Sequence, residues 1–393
     1  MKKYWKTIII SLVIVLTIGS YYTQLARASK KDISFTLETI SGNTKEIDNL
    51  IIQGSYEIEH LYKPFDLSKD GFVDRGNRSF IENFTPYVDM SIQNYIEEHR
   101  NFMRGKEYNP SQYVEDDSRI IYATIANKEP LYEGGRLKLQ IDLLDKQTND
   151  RATFEVTTLA NEVYQWSNVY DVHVEDKKIK ILVKSGLMNG DEELRLYTVD
   201  VIKQQLEDDE IIAQAKAGNS YINIVYNHNE IQNDAYYVYS IEQYSENIEE
   251  KRLDIKNQQV YVYNMRTNEK KELAIPVDIK LGNSPMMIHE EELIIPVKTA
   301  NSIEINCYNM KHNYWEEPVT FTTQGAINDA EETFLQYMDG KLYVAFRTID
   351  RYRLLIGDIY TGKSLYEGQF VRNDGEDFTT IDALYIEQIY TLR

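Results

Sequence analysis

Residues 333–346 read TFLQYMDGKLYVAF. Two strand-like stretches flank Asp339-Gly340, a dipeptide that is a strong signal for a two-residue β-hairpin turn. A second pair of strand-like runs follows within Leu354–Phe370 and flanks a polar turn that begins at Asp358. Two hairpins in succession predict a unit of four antiparallel strands, which is the composition of one β-propeller blade.

The same unit recurs along the chain in a degenerate form. Hairpins of the first kind are predicted within Val169–Val183 and within Met286–Val297. The turn before the last strand of each unit opens with Asp or Asn, and the intervals between successive turns are 55, 64, 45 and 49 residues. A recurrence of about 50 residues is typical of propeller blades. The residues that open these turns are Asp145, Asp200, Asn264, Asn309 and Asp358.

A sixth unit can be assembled from the two ends of the chain. Ile33–Ile40 and Leu50–Tyr56 supply strands at the start, and Phe378–Leu392 supplies strands at the end. Pairing these segments in one blade would close a ring and remove exposed sheet edges. We therefore predict an all-β, propeller-like ring of about six four-stranded blades, with seven as an alternative. The competing fold is a tandem pair of β-sandwiches divided near residue 215.

Residues 60–117 interrupt this pattern and predict a small helical insertion. Within residues 86–104, apolar and aromatic side chains recur with helical spacing, namely Ile92, Tyr95, Ile96, His99, Phe102 and Met103. The predicted organisation is an N-terminal membrane segment over 1–28, strands of the closing blade over 29–59, the insertion over 60–117 and the propeller body over 118–393.

The N-terminus has the pattern of an export signal or a membrane anchor. Lys2, Lys3 and Lys6 precede an almost unbroken apolar run over residues 7–19, and the first acidic residue is Asp32. The lysines predict an orientation in which the C-terminal domain lies outside the cell membrane.

Two fates of this segment are open. Tyr4-Trp5 and Tyr21-Tyr22 flank the apolar run as interfacial aromatic pairs would, which favours a retained single-pass anchor. The apolar run is shorter than a full span of about 20 residues, and Ala26-Arg27-Ala28 fits a cleavage site. The alternative is therefore a protein secreted after cleavage near Ala28, and a buried core helix is the weakest reading.

Composition excludes several classes of partner. The formal net charge is −20, so the chain repels nucleic acid and anionic lipid headgroups, and contact with a membrane is expected only through the N-terminal segment. Cys307 is the only cysteine, so no disulfide forms within the chain. The 31 tyrosines are typical of a β-rich surface on which the aromatic ring of the side chain is buried and its hydroxyl contacts water.

Residues 66–74 resemble the calcium loop of EF-hand and dockerin proteins. Oxygen-bearing side chains stand at ligand positions one, three, five and nine of that loop, and Gly71 stands at the position of its sharp turn. The resemblance implies a calcium site formed by Asp66, Ser68, Asp70 and Asp74. It fails at the twelfth position, where Asn77 replaces the expected carboxylate, so an ordinary polar turn is the competing interpretation. Calcium is the one cofactor that the sequence suggests.

The sequence assigns no catalytic residues. It contains no Gly-x-Ser-x-Gly elbow, no phosphate-binding glycine loop and no dinucleotide fingerprint. We therefore expect a membrane-tethered extracytoplasmic module that binds, senses or assists a protein or another component of the cell envelope, rather than an enzyme. The alternatives are a secreted glycan-active hydrolase or lyase that uses carboxylates in the propeller funnel, and a purely structural envelope protein.

Overall fold

The computed structural model describes residues 33–58, 61–77, 90–126, 136–159, 162–225, 233–247, 252–277, 286–323, 333–348, 351–376 and 383–391, together with isolated residues elsewhere. Among the first 20 residues, the isolated positions that are described are helical. No helix in the described part of the chain has the length and apolar character needed to cross a membrane. Most of the predicted anchor lies outside the described residues, so the anchor stays a prediction.

The described regular structure is dominated by strands. Two helices are described, α1 (Met90–Glu98) and α2 (Arg100–Met103), and short 3-10 turns cover Thr44–Ile47, Arg75–Asn77 and Pro110–Gln112. The strands are β1 (Phe35–Gly42), β2 (Leu50–Ile58), β3 (Leu61–Ser68), β4 (Gly71–Asp74), β5 (Tyr113–Glu115), β6 (Arg119–Ile125), β7 (Lys138–Asp145), β8 (Arg151–Thr157), β9 (Tyr164–Glu175), β10 (Lys178–Leu187), β11 (Glu192–Asp200), β12 (Gln205–Ala215), β13 (Ser220–Val225), β14 (Tyr236–Asn247), β15 (Arg252–Asn264), β16 (Glu269–Leu273), β17 (Met287–His289), β18 (Glu292–Lys298), β19 (Ser302–Asn309), β20 (Tyr314–Trp315), β21 (Val319–Thr322), β22 (Phe334–Met338), β23 (Lys341–Arg347), β24 (Tyr352–Asp358), β25 (Lys363–Arg372) and β26 (Ala383–Thr391).

The described strands form six antiparallel sheets, which confirms the prediction of six blades. Blades 2 to 5 follow chain order as β5–β8, β9–β12, β13–β16 and β17–β21, and β20 and β21 share the outer position of blade 5. Blade 6 contains β22–β25, and blade 1 has the order β26-β2-β3-β4. First strands of neighbouring blades contact each other, as β17 with β22 and β22 with β26 do, so these strands lie nearest the centre of the ring.

Both ends of the chain close the ring, but not in the same blade. The C-terminal strand β26 pairs with β2 from Leu50 opposite Thr391 onwards, as predicted for a composite blade. The N-terminal strand β1 was expected in that blade, and this expectation is wrong, because β1 pairs with β25 and becomes the fifth strand of blade 6. The reason is the 3-10 turn Thr44–Ile47, which separates β1 from β2 and carries the chain from blade 6 to blade 1.

Blade 1 also extends further along the chain than the predicted boundary at residue 59. Strands β3 and β4 complete this blade, and helix α1 begins only at Met90. Strand β3 was missed because only one of its faces is apolar, with Phe65 and Leu67 buried on that face, and because Pro64 is unusual within a strand. At the other end of the insertion, blade 2 starts at Tyr113 rather than at residue 118.

Hydrophobic clusters join most neighbouring blades. The described residues form apolar clusters between blades 2 and 3, 3 and 4, 4 and 5, 5 and 6, and 6 and 1. The remaining face of blade 2 packs against the predicted helical insertion, through Ile92, Phe102 and Met103 on the helices and Ile120 and Tyr122 on the sheet. The insertion is therefore confirmed, and it packs on the side of blade 2 that faces away from blade 3.

The Asp and Asn residues that revealed the repeat have a shared structural role. In each turn the side-chain oxygen accepts at least one hydrogen bond from a backbone N–H two or three residues later, over 2.8–3.1 Å. The residue four positions after each one has a positive φ, and these residues are Asn149, Gln204, Asn268, Asn313 and Gly362. Asp and Asn favour such turns because their short side chains bond the local backbone.

Candidate functional site

A cavity of about 280 Å³ lies in the seam between blades 6 and 1. We call it the seam cavity. It lies where β22, β24 and β26 begin and where β23 ends, so residues distant in sequence meet there. Its lining residues are Thr333, Phe334, Leu335, Ala345, Phe346, Arg347, Tyr352, Phe370, Leu384, Tyr385 and Ile386.

Strand pairing explains how this space arises. Phe334 lies opposite Ala345 in the first hairpin of blade 6, and Arg347 lies opposite Tyr352 in the next. Cross-strand partners project from the same side of a sheet, so the small side chain of Ala345 leaves room between larger neighbours. Strand β26 supplies the opposing wall because it is the first strand of blade 1.

Arg347 is the only charged residue among the described residues that line the seam cavity. Its guanidinium carbon lies 5.1 Å from the centre of the Tyr352 ring, and its Nη1 donates to the Tyr352 hydroxyl over 3.3 Å. The same hydroxyl accepts a hydrogen bond from the backbone N–H of Leu384 over 3.1 Å. Tyr352 therefore connects the cation of blade 6 to the closing strand of blade 1.

A second polar group belongs to Thr333. Its Oγ1 atom is buried and has no hydrogen-bond partner within the described part of the chain. None of the described residues that line the cavity is an acid, a histidine or a cysteine. The wall combines aromatic and aliphatic surface with one cation and the hydroxyls of Thr333, Tyr352 and Tyr385, a composition typical of ligand pockets.

An exposed apolar patch adjoins the seam cavity. The Tyr62 and Tyr385 rings are stacked, with centroids 6.1 Å apart and planes inclined by 30°. Leu61 and Tyr62 are 63% and 62% exposed, and Tyr385, which also lines the cavity, is 38% exposed. We call Leu61, Tyr62 and Tyr385 the blade 1 patch. Exposed clusters of large apolar side chains are typical of interaction sites.

The residues of the predicted calcium loop lie in the hairpin between β3 and β4. Asp66 pairs with Val73 across the hairpin, Ser68 pairs with Gly71, and Asp74 pairs with Phe65. Since successive side chains alternate between the faces of a strand, Asp66 and Ser68 lie on one face and Asp74 on the other.

Their contacts are those of a structural turn. Asp66 forms an ion pair with Arg75 at 3.2 Å, the Ser68 hydroxyl accepts from the backbone N–H of Asp70 over 3.2 Å, and Asp74 accepts from the N–H of Gly76 over 2.7 Å. Within the described residues, no group of three or more His, Cys, Asp or Glu side chains could hold a metal ion. Calcium binding at these residues stays a prediction.

A half-buried residue that the sequence did not single out, Asp171, lies on β9, the first strand of blade 3. Burial raises the pKa of Asp171 to about 8, and Asp234 adds to this effect. Asp234 comes from the connection between β13 and β14, where the side-chain amide of Asn233 bonds the N–H and C=O of Val174 over 2.8 and 2.9 Å. The available signal was a carboxylate within an otherwise apolar strand, VYDVHV at residues 169–174.

His173 lies two residues beyond Asp171 and is 1% exposed. Burial lowers the pKa of His173 to about 4, and the charges of Lys180 and Arg266 act in the same direction. The strand therefore carries a carboxyl group that resists ionisation and an imidazole that resists protonation.

No protein-family model matches the chain, and comparison with curated sequences finds no relative. Among solved structures, a mutant of the Synechocystis apocarotenoid oxygenase is similar with a TM-score of 0.39 and 9% identity, over 86% of this chain and 93% of its own. The nidogen/laminin complex gives 0.30 and 9%, over 81% and 92%. The Dos1 propeller gives 0.28 and 10%, over 59% and 55%. With TM-scores this low, these likenesses add nothing to what the strand pairing shows.

Proposed function

We propose that this protein is a membrane-tethered, extracytoplasmic binding or sensing module that holds a small ligand in the seam cavity and serves a protein or another component of the cell envelope. The observation that carries the proposal is the cavity itself, whose aromatic walls and single cation are those of a binding site. The N-terminal sequence supports the location, since lysines precede an apolar run there.

The position of the cavity connects ligand binding to the N-terminal end of the chain. Phe370 on β25 lines the cavity, and β25 pairs with β1, with Arg372 opposite Phe35. Phe35 is fully buried, and its ring lies 5.2 Å from that of Tyr56 on blade 1. A ligand that orders the seam would therefore also order the strand that follows the proposed tether.

The blade 1 patch is the proposed contact surface for the partner. Tyrosine and leucine side chains that are more than half exposed are costly to keep in water and gain stability when a partner covers them. The patch adjoins the cavity through Tyr385, so a partner bound there would be sensitive to whether the cavity is filled.

Protease treatment and crosslinking of intact cells test this proposal. Protease added outside should digest the propeller body of the full-length chain and leave a short membrane-bound N-terminal fragment.

A photoreactive residue at Tyr62 should give a reproducible crosslinked partner, whereas one at Tyr221, a tyrosine 44% exposed on blade 4, should not. Protection from external protease would refute the location. Equal crosslinking at both positions would refute the blade 1 patch as the contact surface for the partner. Release of the whole domain into the medium would favour cleavage near Ala28.

A second candidate function rests on Asp171. A carboxyl group with a pKa near 8 beside a second acidic residue has the protonation state of a general acid, which favours the alternative of a glycan-active hydrolase. Incubation with cell-wall glycans should then release reducing ends. Asp171→Asn should abolish this release, whereas Asp150→Asn at an exposed turn should not. Absence of release by the unmodified protein would count against the glycan-active hydrolase.

A further inference from the structure

We propose that one face of the propeller contacts the lipid surface of the membrane that holds the tether, through exposed apolar side chains on that face. The occupant of this face is neutral lipid, not a protein and not an anionic headgroup. This inference rests on the tether of the proposed function and adds a second membrane contact to the one that the N-terminal sequence predicts.

The strand order gives the ring two different faces. Because neighbouring strands alternate in direction, the first strand of a blade begins on the face where its fourth strand ends. The chain therefore passes from blade to blade on a single face, which we call the connection face. The opposite face, the turn face, carries the turns between the third and fourth strands, which open at Asp145, Asp200, Asn264, Asn309 and Asp358.

The N-terminal part of the chain enters the body on the connection face. Ser34 comes just before β1 and lies beside Asn373, which follows β25 in the connection between blades 6 and 1. The backbone N–H of Asn373 donates to the Ser34 carbonyl over 2.9 Å, and its side-chain amide donates to the Ser34 hydroxyl over 2.8 Å. These two hydrogen bonds fix the point of entry at this face.

The length of the connection to the apolar run limits how the body can be oriented. Residues 20–34 separate the apolar run at residues 7–19 from β1. These 15 residues reach at most about 50 Å even when fully extended. A folded body of about 360 residues has a radius of gyration of roughly 20 Å, so this reach is close to its diameter. Turning the turn face to the membrane would use nearly all of it, whereas the connection face needs little.

Exposed apolar side chains are concentrated on the connection face. Leu159, Met188 and Val277 are 64%, 48% and 100% exposed, and they follow β8, β10 and β16, which all end on this face. Among the described residues with large, exposed apolar side chains at the two faces, seven lie on the connection face and three on the turn face. The seven are Leu61, Tyr62, Leu159, Met188, Tyr221, Val277 and Tyr385, and the three are Ile202, Tyr314 and Tyr360.

The distribution of these side chains favours lipid as the occupant. They are spread over blades 1 to 4, and a fluid lipid surface can cover such a distribution more easily than a partner protein of fixed shape. Aliphatic side chains gain free energy on leaving water, and tyrosine rings are enriched at the level of the headgroups. The net charge of −20 opposes contact with anionic headgroups, so apolar contact with neutral lipid supplies the attraction.

The seam cavity lies at the same face. Phe334 and Leu384, which line it, stand at the starts of β22 and β26, and first strands begin on the connection face. A ligand of the cavity would therefore enter from the membrane side of the body. A partner that covers the blade 1 patch would likewise approach along the plane of the membrane.

Fluorescence quenching in lipid nanodiscs tests the proposal on the full-length chain. A fluorophore is attached at Val277→Cys on the connection face or, as the control, at Ile202→Cys on the turn face. Cys307 stays unlabelled, because it is buried and burial raises the pKa of its thiol to about 12.

We expect phosphatidylcholine with a spin-labelled headgroup to quench the Val277 probe at least about twofold, since apolar side chains at a membrane surface enter the headgroup–acyl boundary by about 5–10 Å. The Ile202 probe should lose almost no fluorescence. Replacing part of the phosphatidylcholine with phosphatidylglycerol should weaken the quenching of the Val277 probe, because both surfaces are then negative.

Variants assign the contact to the apolar side chains. Leu159→Glu combined with Met188→Glu should remove most of the quenching at Val277, because a carboxylate is costly to take out of water. Ile202→Glu combined with Tyr360→Glu adds the same charge on the turn face and should leave the quenching unchanged. Thermal unfolding of each variant shows whether the fold is retained.

Four results would overturn the proposal. These are equal quenching of the two probes, no quenching at Val277, quenching that survives Leu159→Glu with Met188→Glu, or stronger quenching on the anionic lipid. Absence of quenching would leave the connection face for a protein. A chain that does not stay with the nanodiscs lacks the tether, so the proposed function fails together with this inference. A tethered chain without quenching refutes this inference alone.

Discussion

The side-chain amide of Gln336 forms two hydrogen bonds with the backbone of Ile389. Its Nε2 donates to the Ile389 carbonyl over 2.6 Å, and its Oε1 accepts from the Ile389 N–H over 2.8 Å. Gln336 lies on β22 in blade 6 and Ile389 on β26 in blade 1, so the side chain acts as a short piece of β-ladder between two sheets. Both residues are buried, and the amide thus joins the last blade to the closing strand.

The first prediction concerns this contact. Gln336→Leu replaces the polar amide with an apolar side chain of similar size and leaves the N–H and C=O of Ile389 without their partner. Each buried backbone group that loses its hydrogen bond costs about 1–3 kcal/mol, so we expect a loss of roughly 2–4 kcal/mol in the free energy of unfolding, measured by urea titration. Gln165→Leu, at an exposed position of β9, is the matched control. An equal loss of unfolding free energy in the two variants would show that the Gln336–Ile389 hydrogen bonds do not stabilise the closure of the ring.

The second prediction concerns Thr333. Thr333→Val preserves the shape of the side chain and removes a buried hydroxyl that has no partner among the described residues. We expect the ligand-free protein to gain about 1 kcal/mol, since an unsatisfied buried polar group carries a desolvation penalty. Thermal unfolding measures the gain, and Thr320→Val at an exposed position of β21 should change little. A destabilised Thr333→Val protein would mean that the hydroxyl is bonded.

The third prediction concerns Asp171 and alkaline conditions. The pKa of this carboxyl is about 8 in the folded protein and 3.8 as its ordinary value, so the folded state holds a proton that the unfolded state releases. Stability should therefore fall as pH rises from about 4 to about 8, by at most about 1.4 kcal/mol per pH unit. Asp171→Asn should flatten this slope, measured by urea unfolding at several pH values, and Asp150→Asn should not. An unchanged slope in Asp171→Asn would show that this carboxyl ionises freely.

The fourth prediction concerns His173 and has the opposite sign. Its pKa is about 4 in the folded protein against an ordinary value of 6.5, so the unfolded state binds the proton first as pH falls. The contribution of His173 to the free energy of unfolding should be fully present above pH 6.5 and should be lost as pH falls from 6.5 towards 4. His173→Gln should lose this dependence in the same unfolding series, whereas His312→Gln at an exposed turn should keep it. If both variants behave alike, His173 is not the titrating group.

Local patterns predicted the repeated part of the fold. The turn that opens at Asp145 and the hairpin at Asp339-Gly340 are each determined by a few adjacent residues, and such short-range chemistry can be read directly from a sequence. The composite closing blade was also predictable, because strand-like segments without local partners remain at both ends of the chain.

The remaining features depend on contacts between distant residues. The choice of β25 rather than β2 as the partner of β1 is determined by a turn that crosses between blades. The seam cavity needs Arg347, Phe370 and Leu384 to meet, and nothing in their local sequence indicates that they do. The pKa of Asp171 depends on Asp234, which belongs to another blade.

The placement of β1 has a mechanical consequence. Because β1 is hydrogen-bonded to β25, a load applied at the N-terminal end enters the body through blade 6. The pairing of β26 with β2 is a separate latch in the neighbouring blade. Pulling β1 away would break only its pairing with β25 and leave the pairing of β26 with β2 intact. A force on the N-terminal end could therefore detach one outer strand without opening the ring.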